Sequence, residues 1–280
     1  MRRLLLVDGM NLLFQMFYGM PARIVNSDGK AIQGTLGFVG ALLKILRATE
    51  PSHALVIFDG ECENERRDID KDYKANRPDY SQMPENELPF SQLPDVYAAL
   101  DLLGIRYFET IACETDDVIA SYAYKYGEEH DIVISSQDSD FFQLISERMS
   151  VLRYRGDASV ICTPDYIREK LGIEPALYAD YKSLTGDSAD NIKGAEKVGA
   201  KTAAALVNEF GSLENIIARA EQIKKPSVRE SVKRDEERLL KNYALIRLSD
   251  KAPIPFELEK LEYSYSGITT TEVLRGIGLR

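Results

Sequence analysis

Acidic residues that follow apolar runs are the feature of this sequence that most restricts its fold. The runs LLLV, LVIF and IVIS read as buried strands of a parallel sheet, and an acid stands at or shortly after the carboxyl end of each. Predicted helices separate these strands, so the sequence indicates an α/β fold. The carboxyl ends of parallel strands meet at one edge of the sheet, where binding sites form.

Further acids in the motifs CETDD and TGDSAD join those of the strands. The full set is Asp8, Asp59, Glu114, Asp116, Asp117, Asp138, Asp140, Asp187 and Asp190. One such acid alone could be a helix cap or a solvated loop residue. Together they would repel one another at a shared edge unless cations held them. Hard oxygen ligands without a Cys or His cluster indicate Mg²⁺ or Mn²⁺, and therefore metal-dependent phosphate chemistry.

The composition fits an intracellular enzyme. The chain has 280 residues, of which 44% are hydrophobic and 29% charged, as in an ordinary globular protein. No stretch is long and apolar enough to span a membrane, and the start MRRLLLV runs into a strand rather than a signal peptide. Cys62, Cys113 and Cys162 lack metal-binding spacing and read as reduced thiols. We expect a cytoplasmic location.

A net charge of −10 argues against a nucleic-acid partner, but two basic clusters weaken that objection. The first comprises Arg66, Arg67, Lys71, Lys74 and Arg77, and the second Lys224, Lys225, Arg229, Lys233, Arg234, Arg238 and Lys241. Such clusters are most often solvated faces. The aromatic residues near the first cluster favour a functional role for it.

Two regions follow from the pattern of apolar residues. Strands and helices alternate up to about residue 160, with an amphipathic helix over 34–49 and a hairpin over 150–163. Helices predominate afterwards, at 164–172, 175–186, 201–220 and 228–242. We therefore predict domains at 1–165 and 166–280. Residues 60–95 are polar and rich in proline, and a connection of this length is usually functional or mobile.

Residues 191–216 have the form of a helix–hairpin–helix module. Glycine in such a hairpin lets the backbone amides approach a phosphate closely. An isolated glycine-containing turn of this kind is more often an ordinary connection between two helices. Here the turn follows LTGDSAD directly, and its link to the acids favours a phosphate-binding role.

The motifs together resemble the bacterial and phage 5′→3′ exonuclease (flap endonuclease) family, which includes the N-terminal nuclease domain of DNA polymerase I. The motifs are LVDG, FDG, YKANRP, ETDD, SQDSDFFQL, TGDSADNI and KVGAKTA. In this order they cover nearly the whole chain. The resemblance implies a PIN-like (resolvase-like) parallel-sheet nuclease domain with a helical arch at about 60–95. An all-helical C-terminal region with a helix–hairpin–helix would follow, and the chain would be a stand-alone member.

The resemblance also assigns roles to individual residues. Asp8, Asp59, Glu114, Asp116 and Asp117 match acids around a first metal ion, Asp138 can serve both ions, and Asp140, Asp187 and Asp190 match the second. Lys74 and Arg77 match arch residues that contact the scissile phosphate, and if helical they share one face. Tyr73 matches a position that can stack on a base. Lys197, Gly199, Lys201 and Thr202 match the duplex-binding hairpin, where K⁺ is a further expected ligand.

The sequence departs from the family pattern at two positions. The family usually has an arginine where this chain has Gln15, which puts one phosphate contact in doubt. The hairpin usually reads Gly-x-Gly, whereas Lys197 replaces the first glycine here. This change puts in doubt both the K⁺ site and the close backbone contact with duplex.

The sequence thus predicts a Mg²⁺-dependent 5′→3′ exonuclease and flap endonuclease that acts in primer removal, replication and repair. Its expected partner is DNA with a 5′ flap or 5′ single-stranded end, or an RNA-primer hybrid, and we expect a monomer without membrane contact. A PIN-type ribonuclease would explain the acids but not the hairpin or YKANRP. A non-catalytic junction-binding protein would not explain why so many acids are kept, because clustered charge without a metal destabilises a fold.

Overall fold

The computed structural model describes residues 2–60, 65–77, 83–84, 87–111 and 113–279. Cys62 and part of the predicted arch lie outside the described residues. Within the described ranges, every helix is too short or too polar to cross a membrane.

A six-stranded sheet organises the first half of the chain. Its strands are Arg3–Asp8 (β1), His53–Phe58 (β2), Arg106–Glu109 (β3), Asp131–Ser135 (β4), Met149–Arg153 (β5) and Val160–Cys162 (β6). They lie in the order β3-β2-β1-β4-β5-β6. Strands β1 to β5 are parallel, and β6 runs antiparallel to β5. The predicted parallel sheet and the predicted hairpin are both confirmed.

Helices cover both faces of the sheet, because successive residues of a strand point to opposite sides. Leu4 and Leu6 face one apolar cluster, and Leu5 and Val7 face the other. The helices of this half are Gly9–Gly19 (α1), Gln33–Thr49 (α2), Glu65–Ile69 (α3), Leu93–Leu103 (α4) and Thr115–Tyr126 (α5). Helices α1, α2 and α4 pack on the Leu5 side, and α5 packs on the Leu4 side.

The second half is mainly helical, as predicted. Its helices are Pro164–Leu171 (α6), Tyr178–Thr185 (α7), Ala200–Phe210 (α8), Leu213–Ala218 (α9), Pro226–Arg234 (α10), Glu236–Ile246 (α11) and Thr270–Gly276 (α12). A short antiparallel ribbon, Gly186–Asp187 (β7) and Ile192–Lys193 (β8), interrupts them, so the region is not all-helical.

Two of the helices predicted there are each divided in two. The helix predicted over 201–220 breaks at Gly211, whose φ of +86° ends α8. The helix predicted over 228–242 breaks at Asp235, whose carboxylate pairs with Arg234 and Arg238 and accepts a hydrogen bond from the Glu196 amide.

The end of the chain returns to the first half. Leu261 O accepts a hydrogen bond from the Ala54 amide, and the Tyr263 amide donates to Ser52 O. Val273 of α12 is fully buried in the cluster on the Leu5 side of the sheet. The division at 165/166 stays a prediction, and the last residues of the chain pack against the first half.

Candidate active site

Acidic side chains gather at the carboxyl edge of the sheet because the strands that precede them are neighbours. β1 ends at Asp8, Asp59 follows β2, and Asp138 follows β4 by three residues. Glu114 and Asp116 reach the same edge from the start of α5. All of these acids line a cavity of about 800 Å³.

Nearby donors fix two of these carboxylates. Asp8 caps α1 by accepting a hydrogen bond from the Asn11 amide at 3.0 Å, and its second oxygen accepts from the Ser136 hydroxyl at 2.8 Å. Asp59 accepts from the amide of Thr115 at 3.0 Å, which links the end of β2 to the first turn of α5. The acids are therefore held in place by the same elements that deliver them.

Burial, together with repulsion between neighbouring acids, raises the pKa of four side chains in this group. Burial, with Asp59 nearby, raises the pKa of Asp8 to about 7. Burial and the charge of Asp138 raise the pKa of Asp140 to about 8. The pKa values of Asp116 and Asp138 are also raised, mainly by burial. Negative charge is thus concentrated here beyond what the surrounding protein neutralises.

Four of the nine predicted metal ligands, namely Glu114, Asp117, Asp187 and Asp190, each form ion pairs with basic side chains. Lys74 Nζ lies 2.9 Å from Glu114, Lys182 Nζ 2.6 Å from Asp187, and Arg77 Nη2 3.1 Å from Asp190. Arg66 pairs with both Glu114 and Asp117. The predicted set therefore divides into an ion-paired outer group (Glu114, Asp117, Asp187 and Asp190) and an inner group (Asp8, Asp59, Asp116, Asp138 and Asp140).

Asp117 differs from the rest of the outer group in its contacts. Its Oδ1 accepts from Arg66 at 2.9 Å and from the Ser249 amide at 2.8 Å. These bonds join α3, α5 and the segment that follows α11. Asp117 thus acts as a brace between elements far apart in the sequence.

The donor set suits a hard divalent cation, although its members are not gathered around one point. Across the described ranges, no three His, Cys, Asp or Glu side chains lie close enough together to hold a metal ion. Buried Asp140 Oδ1 has no hydrogen-bond partner among the described residues. A buried oxygen without a partner, among acids of raised pKa, is suited to bind a cation. The Asp140 side chain and its neighbours would have to rotate to coordinate the same ion. The nine metal ligands stay a prediction.

Lys74 and Arg77 line the same cavity as four of the inner acids, Asp8, Asp59, Asp116 and Asp138. Both belong to residues 70–77, which we call the arch base. The arch base forms successive turns rather than a helix, and Lys74 has a left-handed φ of +57°. The two side chains therefore reach the cavity without the helical spacing that the sequence suggested.

Tyr73 does not lie where a base could stack on it. Tyr73 is only 4% exposed and packs in a small apolar cluster with Ile192 and Leu245. Its hydroxyl lies 3.5 Å from Asp190 Oδ2. The expectation of base stacking at Tyr73 is thus not supported by this conformation. The aromatic residues that line the cavity are Phe14 and Phe90, in edge-to-face contact at 5.4 Å.

Several residues of the site were missed by sequence reasoning. Arg66 was noted only as one charge in a basic cluster, yet it is 8% exposed and pairs with two predicted ligands. No sequence motif indicates that Lys182 pairs with Asp187. Phe14 lies in α1 within a run of apolar residues, and this pattern gives no sign that the cavity reaches its side chain.

Gln15, where the family usually has arginine, has a structural contact here. Its side-chain amide donates to Tyr154 O at 2.7 Å, and Gln137 donates to the same oxygen at 2.8 Å. Arg155 in turn donates to the Gln137 side chain at 3.2 Å. Gln15 therefore ties α1 to the connection after β5 rather than pointing a charge at the site.

The predicted hairpin residues form a separate surface at the start of α8. Gly199 caps this helix, Lys201 lies in its first turn, and Lys197 precedes it with a left-handed φ of +61°. A glycine adopts this backbone conformation without strain, which accounts for the family's usual residue there. Thr202 is half-buried in the first turn. The hairpin is braced by Arg238, which donates to Gly194 O at 3.2 Å.

Fold and site together define the class of the protein. A family model described as 5′-3′ exonuclease, N-terminal resolvase-like domain, matches residues 3–172. A second, described as 5′-3′ exonuclease, C-terminal SAM fold, matches residues 173–267. The chain belongs to the 5′-3′ exonuclease family, and the predicted resemblance is confirmed.

Among individual proteins, the chain is similar to parts of bacterial DNA polymerases. It is 34% identical over 257 residues to the thermostable DNA polymerase I of Thermus thermophilus, covering 91% of this chain and 30% of that protein. It is 36% identical over 270 residues to DNA polymerase I of Streptococcus pneumoniae, covering 94% of this chain. The chain spans about 30% of the length of these relatives.

Solved structures share the fold over nearly the whole chain. A complex of the bacteriophage T5 D15 flap endonuclease with DNA and metal ions has a TM-score of 0.74 and 22% identity, covering 99% of both chains. The T5 D15 protein co-crystallised with metal ions has a TM-score of 0.71 and 24% identity, covering 88% of this chain and 89% of the other. At these identities the likeness establishes the fold.

Proposed function

We propose that this chain is a Mg²⁺-dependent 5′→3′ exonuclease and structure-specific flap endonuclease. The observation that carries the proposal is the cavity in which buried acids of raised pKa face Lys74 and Arg77. The acids attract divalent cations, and the basic side chains attract phosphate oxygens. A phosphodiester held between two such walls is the substrate that this charge distribution favours. Membership of the 5′-3′ exonuclease family supports this choice.

Two Mg²⁺ ions, or Mn²⁺ in their place, are part of the proposal. The inner acids, which lack an ion pair with any described basic side chain, are the candidates for direct ligands. The outer acids are candidates for contacts through water, because Mg²⁺ keeps much of its hydration. Bound ions would supply a water of lowered pKa and offset charge on the leaving oxygen. A K⁺ ion near Gly199 remains a further proposed ligand.

The side chains of the arch base would hold the scissile phosphate. Lys74 and Arg77 place fixed positive charge where the phosphate oxygens gain charge during in-line attack by water. The attack forms a new phosphorus–oxygen bond and breaks the bond between phosphorus and the 3′ oxygen. The fragment on the 5′ side of the cut therefore ends in a 3′ hydroxyl, and the fragment on the 3′ side keeps the phosphate on its 5′ oxygen. Phe14 and Phe90 give the same cavity an aromatic wall against which bases could pack.

The proposed substrates are DNA with a 5′ flap or a 5′ single-stranded end, and RNA-primer hybrids, in primer removal, replication and repair. The hairpin surface around Lys197, Lys201 and Thr202 would contact the duplex. We propose that the protein acts as a monomer in the cytoplasm, and the buried thiol of Cys162, which forms no disulfide, supports a reducing compartment. The hairpin favours this proposal over a PIN-type ribonuclease, and the acid–base cavity favours it over a non-catalytic junction binder.

Lys197 gives a test of the hairpin. Lys197→Gly should weaken flap-DNA binding and lower the slope of log affinity against log salt by about 0.9, because one phosphate contact is lost. Folding stability should stay within about 1 kcal/mol, since relief of the left-handed strain offsets the entropy that glycine loses on folding. Fluorescence anisotropy from roughly 50 to 200 mM salt measures the slope. Lys197→Gln, which keeps the strain and removes the charge, should show the same slope; an unchanged slope in both variants would remove Lys197 from the interface.

The function itself is tested with the unmodified protein. A 5′-labelled DNA flap, the same flap in RNA and a blunt duplex are incubated while Mg²⁺ is titrated. We expect metal-dependent cutting of the DNA flap near its junction. Cutting of the RNA strand alone would support the ribonuclease, and binding without cutting at every metal concentration would support the junction-binding protein.

A further inference from the structure

The tip of the β7–β8 ribbon, residues 188–191, docks on the arch base. The amide of Lys74 donates to Asp190 O at 3.0 Å. The side chain of Asn191 donates to Asp72 O at 2.9 Å, and the side chain of Asn76 donates to Ser188 O at 2.9 Å. These three bonds join segments more than 100 residues apart in the chain.

Both surfaces of this contact contain a non-glycine residue in the left-handed region. Lys74 has a φ of +57° and Asn191 a φ of +60°. Asparagine enters this region more readily than most side chains, whereas lysine does so at an energetic cost. Strained conformations persist when the surrounding contacts over-determine them. Here the surrounding contacts come from the ribbon tip.

The conformation of Lys74 decides where its side chain points. Its amide is fixed by the ribbon tip, and its ammonium group reaches Glu114 on the wall of the acidic cavity at 2.9 Å. Lys74 therefore connects the ribbon, through its backbone, to the cavity, through its side chain. A change at the ribbon tip would alter the direction of the charge without touching the cavity.

We infer that Asn76 and Asn191 are positioning residues for cleavage, which hold the arch base on the ribbon so that Lys74 is directed into the cavity. This inference rests on the proposed nuclease function. Asn191 holds the arch base in two ways: it tolerates the left-handed backbone, and its side-chain amide donates a hydrogen bond to Asp72 O. Asn76, two residues after Lys74, adds a second side-chain hydrogen bond, which it donates to Ser188 O.

The docking itself is tested by hydrogen exchange of residues 70–77 in the full-length protein without substrate. The double variant Asn76→Ala/Asn191→Gly removes both amide bonds, while glycine keeps the left-handed backbone. Exchange of the Lys74 amide should become about tenfold faster. Asn208→Ala is the matched control, because Asn208 is an exposed asparagine whose amide donates to Gly172 O at 2.7 Å in a different contact. Unchanged exchange in the double variant would overturn the docking.

The positioning role is tested by a double-mutant cycle on flap cleavage. The double asparagine variant should lower kcat about 10-fold with a smaller change in KM, and Lys74→Ala should lower kcat about 100-fold or more. Added to Lys74→Ala, the asparagine changes should lower kcat less than about twofold further, because their target is gone. The same 10-fold loss in both backgrounds would show a merely structural contact and overturn the inference.

A third outcome separates the docking from the proposed function: the wild-type protein shows a protected Lys74 amide but does not cleave the flap. It would overturn the proposed function, and with it the positioning role, while the exchange data still establish the docking.

Discussion

The Asp138→Asn variant is expected to lose flap cleavage by at least about a thousandfold, because a neutral amide is a poor ligand for a divalent cation at the centre of the inner acids. Binding of the flap in EDTA should stay close to that of the wild-type protein, since Lys74, Arg77 and the hairpin are untouched. The local fold should also be kept. Asp138 Oδ1 accepts from the Asp140 amide at 2.8 Å, and an asparagine oxygen can accept the same bond.

Asp138→Asn is also expected to raise the melting temperature in EDTA. Burial, and then the nearby charges of Asp190 and Asp187, raise the pKa of Asp138 in the folded state. The folded protein thus binds a proton more readily than the unfolded chain, and ionisation of Asp138 lowers stability as the pH rises above about 3.9. The uncharged variant avoids this loss. We expect a gain of about 1 kcal/mol, or roughly 2 °C, at alkaline pH and no gain in acid.

Differential scanning calorimetry between acidic and alkaline pH measures the melting temperature of Asp138→Asn, and cleavage assays in parallel measure its activity. Asp157→Asn is the matched control, because Asp157 is an exposed loop acid outside the cavity. It should change neither cleavage nor the melting temperature. Full cleavage by Asp138→Asn would remove Asp138 from the metal site, and a lower melting temperature at alkaline pH would contradict the repulsion among the inner acids.

The sequence could predict where most acids lie because strand direction settles it. Once the runs ending at Asp8 and Asp59 and the run before Asp138 are parallel neighbours, their carboxyl ends meet at one edge. The apolar period of α2 predicted its span almost to the residue. Both inferences use local patterns, which a single sequence contains.

The arch base shows what a single sequence could not predict. The burial of Tyr73 depends on Leu245 and Ile192, which lie more than 100 residues away in the chain. The left-handed backbone of Lys74 depends on Asp190, in another element. The spacing of Lys74 and Arg77 is compatible with a helix, and the family resemblance implies a ring at Tyr73 that is free to stack. Neither carries information about what packs against this segment. Contacts between distant segments overrode the local pattern there.

Replacement of Arg66 by methionine is expected to destabilise the protein by about 3 kcal/mol, because a buried charge would be removed from between two carboxylates. The side chains of Glu114 and Asp117 are only 11% and 13% exposed. Without the guanidinium, Asp117 keeps the Ser249 amide and Glu114 keeps Lys74, so the charges are only partly offset. Methionine fills a similar volume, which limits the effect of an empty space.

Urea unfolding in EDTA, followed by circular dichroism, measures the change in the free energy of unfolding. In thermal unfolding under the same conditions, the melting temperature should fall by roughly 6 °C. Arg67→Met is the matched control, since Arg67 is the next residue in α3 and is exposed. The control should lie within about 0.5 kcal/mol of the wild-type protein. Equal unfolding free energies for the two variants would show that Arg66 does not hold Glu114 and Asp117 in place. Glu114 and Asp117 would then owe their positions to α5 and to their contacts with Lys74 and the Ser249 amide.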